Sequence, residues 1–473
     1  MAYHDLRDFI DRLQDLGELH RVPVPVDPDL EAAAVIDRVC KFPGGGPALL
    51  FEKILGIAFP VAANLFGSER RMAEALGVAR LDDLSGEMLR ILAALPGRSS
   101  IEKLSALSGS EPWHKATPLM VADAPCQEVI EASLDLTCYP FLKSWPRDGS
   151  PDHGGRFITL PLVVTGDPAS GMLNCGMYRV AILGPDRLGI RWSAESGAAG
   201  HAEAWRLQRE PMPVAIAVGG DPATLFAATL PLPPFLDEFT FAGLLRESPV
   251  ELVCCRTSNL PVPAGAELVI EGYIDPGAVA RDGAFGNHTG SYVVATEVPL
   301  MRVTAITRRS DMIYPATVVG PPPMEDCWLA RGAERLLLPL IRIDQPAVVD
   351  LFQPFEGIFH RATIVAISKS GPGEGRKMLD RLWQTPWLKR SRLLVVVDAE
   401  QAPADVSGVF WRVMNNVNWQ RDLVVDGERL GLDATRKFGT ELSGENESVP
   451  VHMSDEITAV VERRWKEYGF DRE

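Results

Sequence analysis

Along the first hundred residues apolar positions recur at helical spacing. Leu6, Phe9, Ile10 and Leu13 share one face of a helix predicted over 4–17, which Gly17 is placed to end. Further helices are expected over 30–39 and around 70–97, with a short strand over 48–51, so residues 1–117 read as an N-terminal α/β domain. From 118 to 318 the texture becomes β-branched, with strand-length runs at 157–165, 177–182, 213–218, 266–273 and 301–307. Turn dipeptides such as Gly166-Asp167, Gly184-Pro185 and Pro276-Gly277 separate them, which predicts a barrel or closed sheet. Helices near 199–209 and 237–246 interrupt this series. After a Pro-rich linker at 320–323, strand and helix alternate through 347–351, 362–368, 375–383, 392–398 and 406–417. That alternation predicts a layered α/β domain over 319–450 with a mainly parallel sheet. Residues 451–473 hold a tether and an amphipathic helix over 455–468, which docks either on its own body or on a partner subunit.

A chain of 473 residues, 46% apolar and 23% charged, has material for two or three globular domains. Its net charge of −16 argues against nucleic acid as a partner and requires that an anionic substrate be captured by a local cationic pocket. The start has no basic segment followed by an apolar core, so no signal peptide is expected. The longest apolar runs, such as 393–397, fall far below the roughly 20 residues that span a bilayer. Seven scattered cysteines without a CxxC pair read as reduced thiols, which places the chain in the cytoplasm.

Four stretches could carry chemistry. In Asn174-Cys175-Gly176-Met177-Tyr178-Arg179, strand alternation puts Tyr178 and Arg179 on opposite faces, so that Arg179 either points inward or lies on a half-exposed strand. The run Arg281-Asp282-Gly283-Ala284-Phe285-Gly286-Asn287-His288-Thr289-Gly290 packs three glycines among polar groups, which suits a ligand loop or an ordinary hairpin connection. Glu238, with His201 as a distant companion, could ligate a metal, although no HExxH spacing accompanies them. Gly219-Gly220-Asp221-Pro222 ends a strand and starts a helix, but neither GxGxxG nor a Walker pattern is present.

Taken in order, these stretches resemble the UbiD family of reversible decarboxylases. The likeness also takes in Leu236-Asp237-Glu238-Phe239, Gly320-Pro321-Pro322-Pro323-Met324-Glu325-Asp326 and Leu432-Asp433-Ala434-Thr435. It implies an N-terminal α/β domain, a central flavin-reductase-like split β-barrel and a C-terminal α/β domain. It further implies prenylated FMN supplied by a flavin prenyltransferase, Mn2+ or Mg2+, K+ near the phosphate, and a homodimer or hexamer. The metal set falls on Asn174, His201 and Glu238, and cofactor contacts on Asn174, Tyr178, Arg179, Thr229 and Glu238. The family's central arginine falls on Arg179 and its first acid on Asp282. The second acid falls on Asn287, an amide that cannot donate a proton as an acid, so Asp282, His288 or a water would have to.

The resemblance thus implies a carboxy-lyase acting on an aromatic or heteroaromatic acid. Arg179 would pair with the substrate carboxylate, because guanidinium is always charged and binds carboxylate by two bonds. The segment 355–360 would wall the pocket with aromatic rings. A prenylated 4-hydroxybenzoate of ubiquinone synthesis is an alternative substrate. A flavin oxidoreductase and a non-catalytic flavin-binding protein are the rival classes.

Overall fold

The computed structural model describes residues 3–150, 152–442, 451 and 453–470. The first helix, Leu6–Asp15, is capped by the Asp5 carboxylate, which accepts from the Arg7 and Asp8 amides, and it buries Leu6, Phe9, Ile10 and Leu13. The predicted helix over 70–97 is instead Glu69–Ala75 and Asp83–Ala93, broken where Gly77 takes φ of 69°. A four-stranded sheet runs Leu19–Val26, Ala48–Ile54, Val61–Ala63 and Tyr314–Ala316. Its last strand comes from some 250 residues further along the chain, so the N-terminal unit is bonded into the next one. The buried Glu267 carboxylate adds a second tie through Arg7, at 3.0 Å.

Nine strands build the central sheet, of which eight are labelled here in chain order. They are β1 (Phe157–Ile158), β2 (Pro161–Gly166), β3 (Leu173–Gly176), β4 (Arg179–Ile182), β5 (Arg187–Arg191), β6 (Met212–Val218), β7 (Leu268–Arg281) and β8 (Glu297–Arg308). Their order is β1-β4-β5-β8-β7-β6-β2-β3, with Val129–Ile130 added beside β8. Among the described residues no ladder joins the two end strands, β1 and β3. One predicted strand is split and another is shortened. The run 157–165 breaks before Pro161, and 177–182 begins only at Arg179.

Side-chain alternation along β2 and β6 feeds two different cores. Leu162, Val164, Ala215 and Ala217 pack with the N-terminal helices, while Val163, Val214, Ile216 and Val218 fill the opposite face. Two helices lie beside the β2–β3 hairpin: α1 (Gly197–Gln208) and α2 (Glu238–Leu245).

The last sheet joins Val348–Phe352, Ala362–Ile367, Leu393–Asp398, Arg429–Asp433 and Leu423–Asp426 in that order. Only two of its four pairings are parallel, which corrects the mainly parallel expectation. The reason is loop length. The connections at 353–361 and 427–428 are shorter than the dozen residues that a parallel crossover needs. The terminal helix Asp455–Arg464 has no buried residue. All seven cysteines are free, and among the described residues no helix is long and apolar enough to cross a membrane.

Candidate active site

Arg179 opens β4 opposite Arg191 of β5, and both reach the carboxylate that ends the β7 edge. Arg179 Nη2 donates to Asp282 Oδ2 at 2.7 Å, and Arg191 Nη1 to the same oxygen at 3.2 Å. Asp282 Oδ1 accepts the Thr296 amide at 3.0 Å, and the Asp282 side chain is only 1% exposed. The Arg179 guanidinium sits 4.1 Å from the Phe285 ring centroid and 5.7 Å from that of Phe157. Burial pulls the Arg179 pKa down and Asp282 draws it back up. Its Nε is buried with no partner among the described residues. The site therefore holds a desolvated guanidinium with donor capacity to spare, on an apolar aromatic bed.

A second cluster surrounds the β2–β3 hairpin. Thr165 and Asn174 are cross-strand neighbours, and Thr165 Oγ1 lies 2.9 Å from His201 Nδ1 on α1. The Asn174 amide packs against Gly197, one turn before His201. A Cβ at Gly197 would come within 2.1 Å of Asn174 Oδ1, so only glycine lets the helix approach this closely. Glu238, the first residue of α2, accepts the amide of Cys175 on Oε2 at 3.0 Å. Burial raises the Glu238 carboxyl to about 7, since no cation lies beside it. Burial also lowers the His201 imidazole, which favours its neutral form. The Tyr178 hydroxyl meets Asn174 Nδ2 at 3.3 Å, and its ring packs edge-on to Trp192. Thr229 lies at the turn after Pro222–Ala227, next to the Ala228 carbonyl that accepts the Met177 amide, and its hydroxyl donates to Phe226 O at 2.6 Å.

Asn287 and His288 are placed differently. Asn287 Oδ1 is taken up locally by the amide and hydroxyl of Thr289, both at 2.8 Å, and makes no bond to Arg179. His288 Nδ1 stands 3.0 Å from Asp326 Oδ2 in a contact that is not an aligned hydrogen bond. Its ring meets Phe359 edge-on at 5.0 Å. His360 follows, with its pKa lowered by burial. Residues Ile358 and Phe359 both take positive φ, so this part of the 355–360 segment is a bent, aromatic wall. The pair Gly219-Gly220 and Asp221 turns out to be structural, because Asp221 caps Pro222–Ala227 and holds Arg246 at 2.9 Å.

Two contributors escaped the sequence reading. Arg191 was legible in principle, because a hairpin centred on Gly184-Pro185 pairs it with Arg179. His153 was not. It belongs to a loop that is bonded, through Gly149 and Asp148, to Ala284 and Gly286 just after Asp282, and only tertiary packing brings the two together.

The chain matches three family models in succession. These are the N-terminal domain (residues 10–88), the Rift-related domain (119–322) and the C-terminal domain (327–439) of 3-octaprenyl-4-hydroxybenzoate carboxy-lyase. The matched family models are those of a carboxy-lyase, and the fold is shared with solved decarboxylases. The protein belongs to the UbiD family. An uncharacterized protein of Archaeoglobus fulgidus is 40% identical over 99% of both chains, and one of Aquifex aeolicus 39% identical over the same shares. Among solved structures, the vanillic acid decarboxylase of Sedimentibacter hydroxybenzoicus in its closed form superposes with a TM-score of 0.84, at 26% identity and with 100% of each chain covered. The UbiD-class enzyme HmfF of Pelotomaculum thermopropionicum, in an evolved dimeric form in complex with prFMN, gives 0.80 at 27% identity, covering 95% of this chain and 97% of that one.

Proposed function

We propose that this protein is a reversible, non-oxidative decarboxylase of an aromatic or heteroaromatic carboxylic acid, working with prenylated FMN and a divalent metal. The observation that carries the reading is the buried Arg179 guanidinium, braced by Asp282 and bedded on Phe285 and Phe157. A guanidinium desolvated in this way binds carboxylate more strongly than one in water, and the rings beside it suit a planar substrate. In this reading Arg179 orients the substrate carboxylate and Asp282 fixes Arg179. The prenylated flavin supplies the electron sink when bound.

Asn174, His201 and Glu238 would hold Mn2+ or Mg2+. The fit rests on a buried Glu238 carboxyl with no compensating charge, next to an amide and a neutral imidazole. No three His, Cys, Asp or Glu side chains converge among the described residues, so any metal set here needs the Asn174 amide. The divalent ion, with K+, would neutralise the cofactor phosphate in a chain of net charge −16. Tyr178 and Thr229 would border the cofactor, and Asn287, His288 and Phe359 the substrate. Polar groups at 287 and 288 favour a ring with a heteroatom or hydroxyl.

The cofactor would come from a flavin prenyltransferase, and free thiols throughout agree with a reducing, cytoplasmic setting. Homo-oligomerisation, as dimer or hexamer, is supported by exposed Val406, Phe410, Trp411 and Met414 and by the uncovered terminal helix. The deciding experiment reconstitutes the protein with prenylated FMN and Mn2+ and measures carbon dioxide release and bicarbonate exchange on aromatic, heteroaromatic and acrylic acids. Turnover by wild type and none by Arg179→Ala, with flavin still bound, is expected. Silence of the wild type across the panel overturns the reading.

A further inference from the structure

His153 has both ring nitrogens buried and neither has a partner among the described residues. An imidazole always carries a donor, and a buried one left unmet costs about 1–3 kcal/mol. Such an orphan needs a reason, and its surroundings supply one. The loop carrying His153 is fastened to the strand end that bears Asp282. The Gly149 and Ala284 backbones exchange two hydrogen bonds of 2.8 Å, and Asp148 Oδ1 accepts the Gly286 amide at 2.8 Å. Gly283, at φ of 81°, lets the two segments touch, since a Cβ there would lie 2.5 Å from the Gly149 carbonyl carbon. The His153 amide closes the loop on Ser150 O at 3.2 Å. Burial lowers its pKa, Asp152 on its own loop and Asp282 on the facing segment oppose that, and Lys143 on the preceding segment adds to it.

The proposed reaction needs a proton at the carbon that loses carbon dioxide. Asn287 is an amide with its oxygen bound to Thr289, and His288 Nδ1 faces Asp326. Asp282 already receives two guanidiniums and a backbone amide. We propose that His153 is the proton-transfer group of the Arg179–Asp282 centre, standing in for the acid that position 287 lacks. Resting on the decarboxylase reading, the step balances as follows. The C–C bond to the carboxylate breaks and carbon dioxide leaves. The electron pair left on the substrate carbon takes the N–H proton of the His153 imidazolium, and the neutral imidazole is reprotonated by water. In the carboxylation direction the same nitrogen accepts the ring proton. Burial pushes the His153 pKa below the ordinary histidine value, which makes its imidazolium a stronger acid, and a bound substrate carboxylate opposes that shift.

The test uses holoenzyme with prenylated FMN and Mn2+, supplied with furan-2-carboxylate and 4-hydroxybenzoate. Carboxyl exchange with 13C-bicarbonate needs only the C–C bond to break and re-form, whereas deuterium uptake into furan or phenol needs proton transfer. His153→Gln is expected to keep carboxyl exchange within about threefold of wild type and to lose deuterium uptake by at least about a hundredfold. Equal retention or equal loss of both overturns the assignment. A readout independent of turnover is the 13C-labelled histidine spectrum of the cofactor-free protein. The resonance missing in His153→Gln should titrate below the ordinary histidine value, and lower still in Asp282→Asn. A normal value that ignores residue 282 removes His153 from the centre, even if the wild type decarboxylates neither acid.

Discussion

Asp282→Asn isolates the electrostatics of the site from its shape. The asparagine is isosteric, yet it removes the one negative charge shared by Arg179 at 2.7 Å and Arg191 at 3.2 Å. Those two guanidiniums, cross-strand neighbours on β4 and β5, are then left facing each other. Removing one partner of a buried ion pair costs about 3–5 kcal/mol. The lower end, ~3 kcal/mol, applies here because the Arg191 side chain is 28% exposed and keeps part of its hydration. For a domain of about 200 residues each kcal/mol moves Tm by about 2–4 °C, so a loss of roughly 6–12 °C is expected. Differential scanning calorimetry of the metal-free, cofactor-free protein at pH 7 measures it without any contribution from bound ligands. Adding Arg191→Ala to Asp282→Asn should recover part of the loss, because it removes the repulsion. A shift below about 2 °C, or no recovery, would refute the view that this carboxylate holds both arginines.

Arg179→Lys should lower kcat/KM by at least about a hundredfold while flavin binding stays within a few-fold, because ammonium cannot make two parallel bonds to carboxylate; flavin absorbance and turnover check both. Glu238→Gln should lower the Mn2+ content of purified protein, read by elemental analysis, and a normal content would exclude this residue as a ligand. Glu325 is fully buried, accepts the Phe66 amide, and has its carboxyl raised to about 7 by burial. A folded-state pKa above the unfolded one means that the native chain holds the extra proton, so stability falls as pH rises from about 4.5 to 7. Glu325→Gln should flatten that slope in denaturant titrations run across this window, leaving the part due to Glu238. Truncation before residue 451 should reduce the mass seen by light scattering, because the terminal helix buries no residue on its own body, and an unchanged mass would refute a role for it between subunits.

How far the sequence reached can be judged from particular residues. The helix face of Leu6, Phe9, Ile10 and Leu13 was fully legible, because its periodicity is local and all four are buried. The order of strands was not. Tyr314–Ala316 belongs to the N-terminal sheet, and nothing in its three residues announces that partner. Loop lengths held the information on the antiparallel edges of the last sheet, but the alternation of strand and helix masked it.

The sequence by itself determined the family, and it singled out Arg179, Asp282, Asn174 and Glu238 as candidates, since ordered motifs survive without coordinates. Tertiary structure alone decided that Arg191 shares the Asp282 carboxylate, that Asn287 turns back on Thr289, and that the loop carrying His153 is bonded to the segment beside Asp282 from more than a hundred residues away. The physical reason is one of range. Helical faces and caps are set by neighbours a few residues apart, whereas burial, charge pairing and the solitude of an imidazole depend on which distant strands the core brings together.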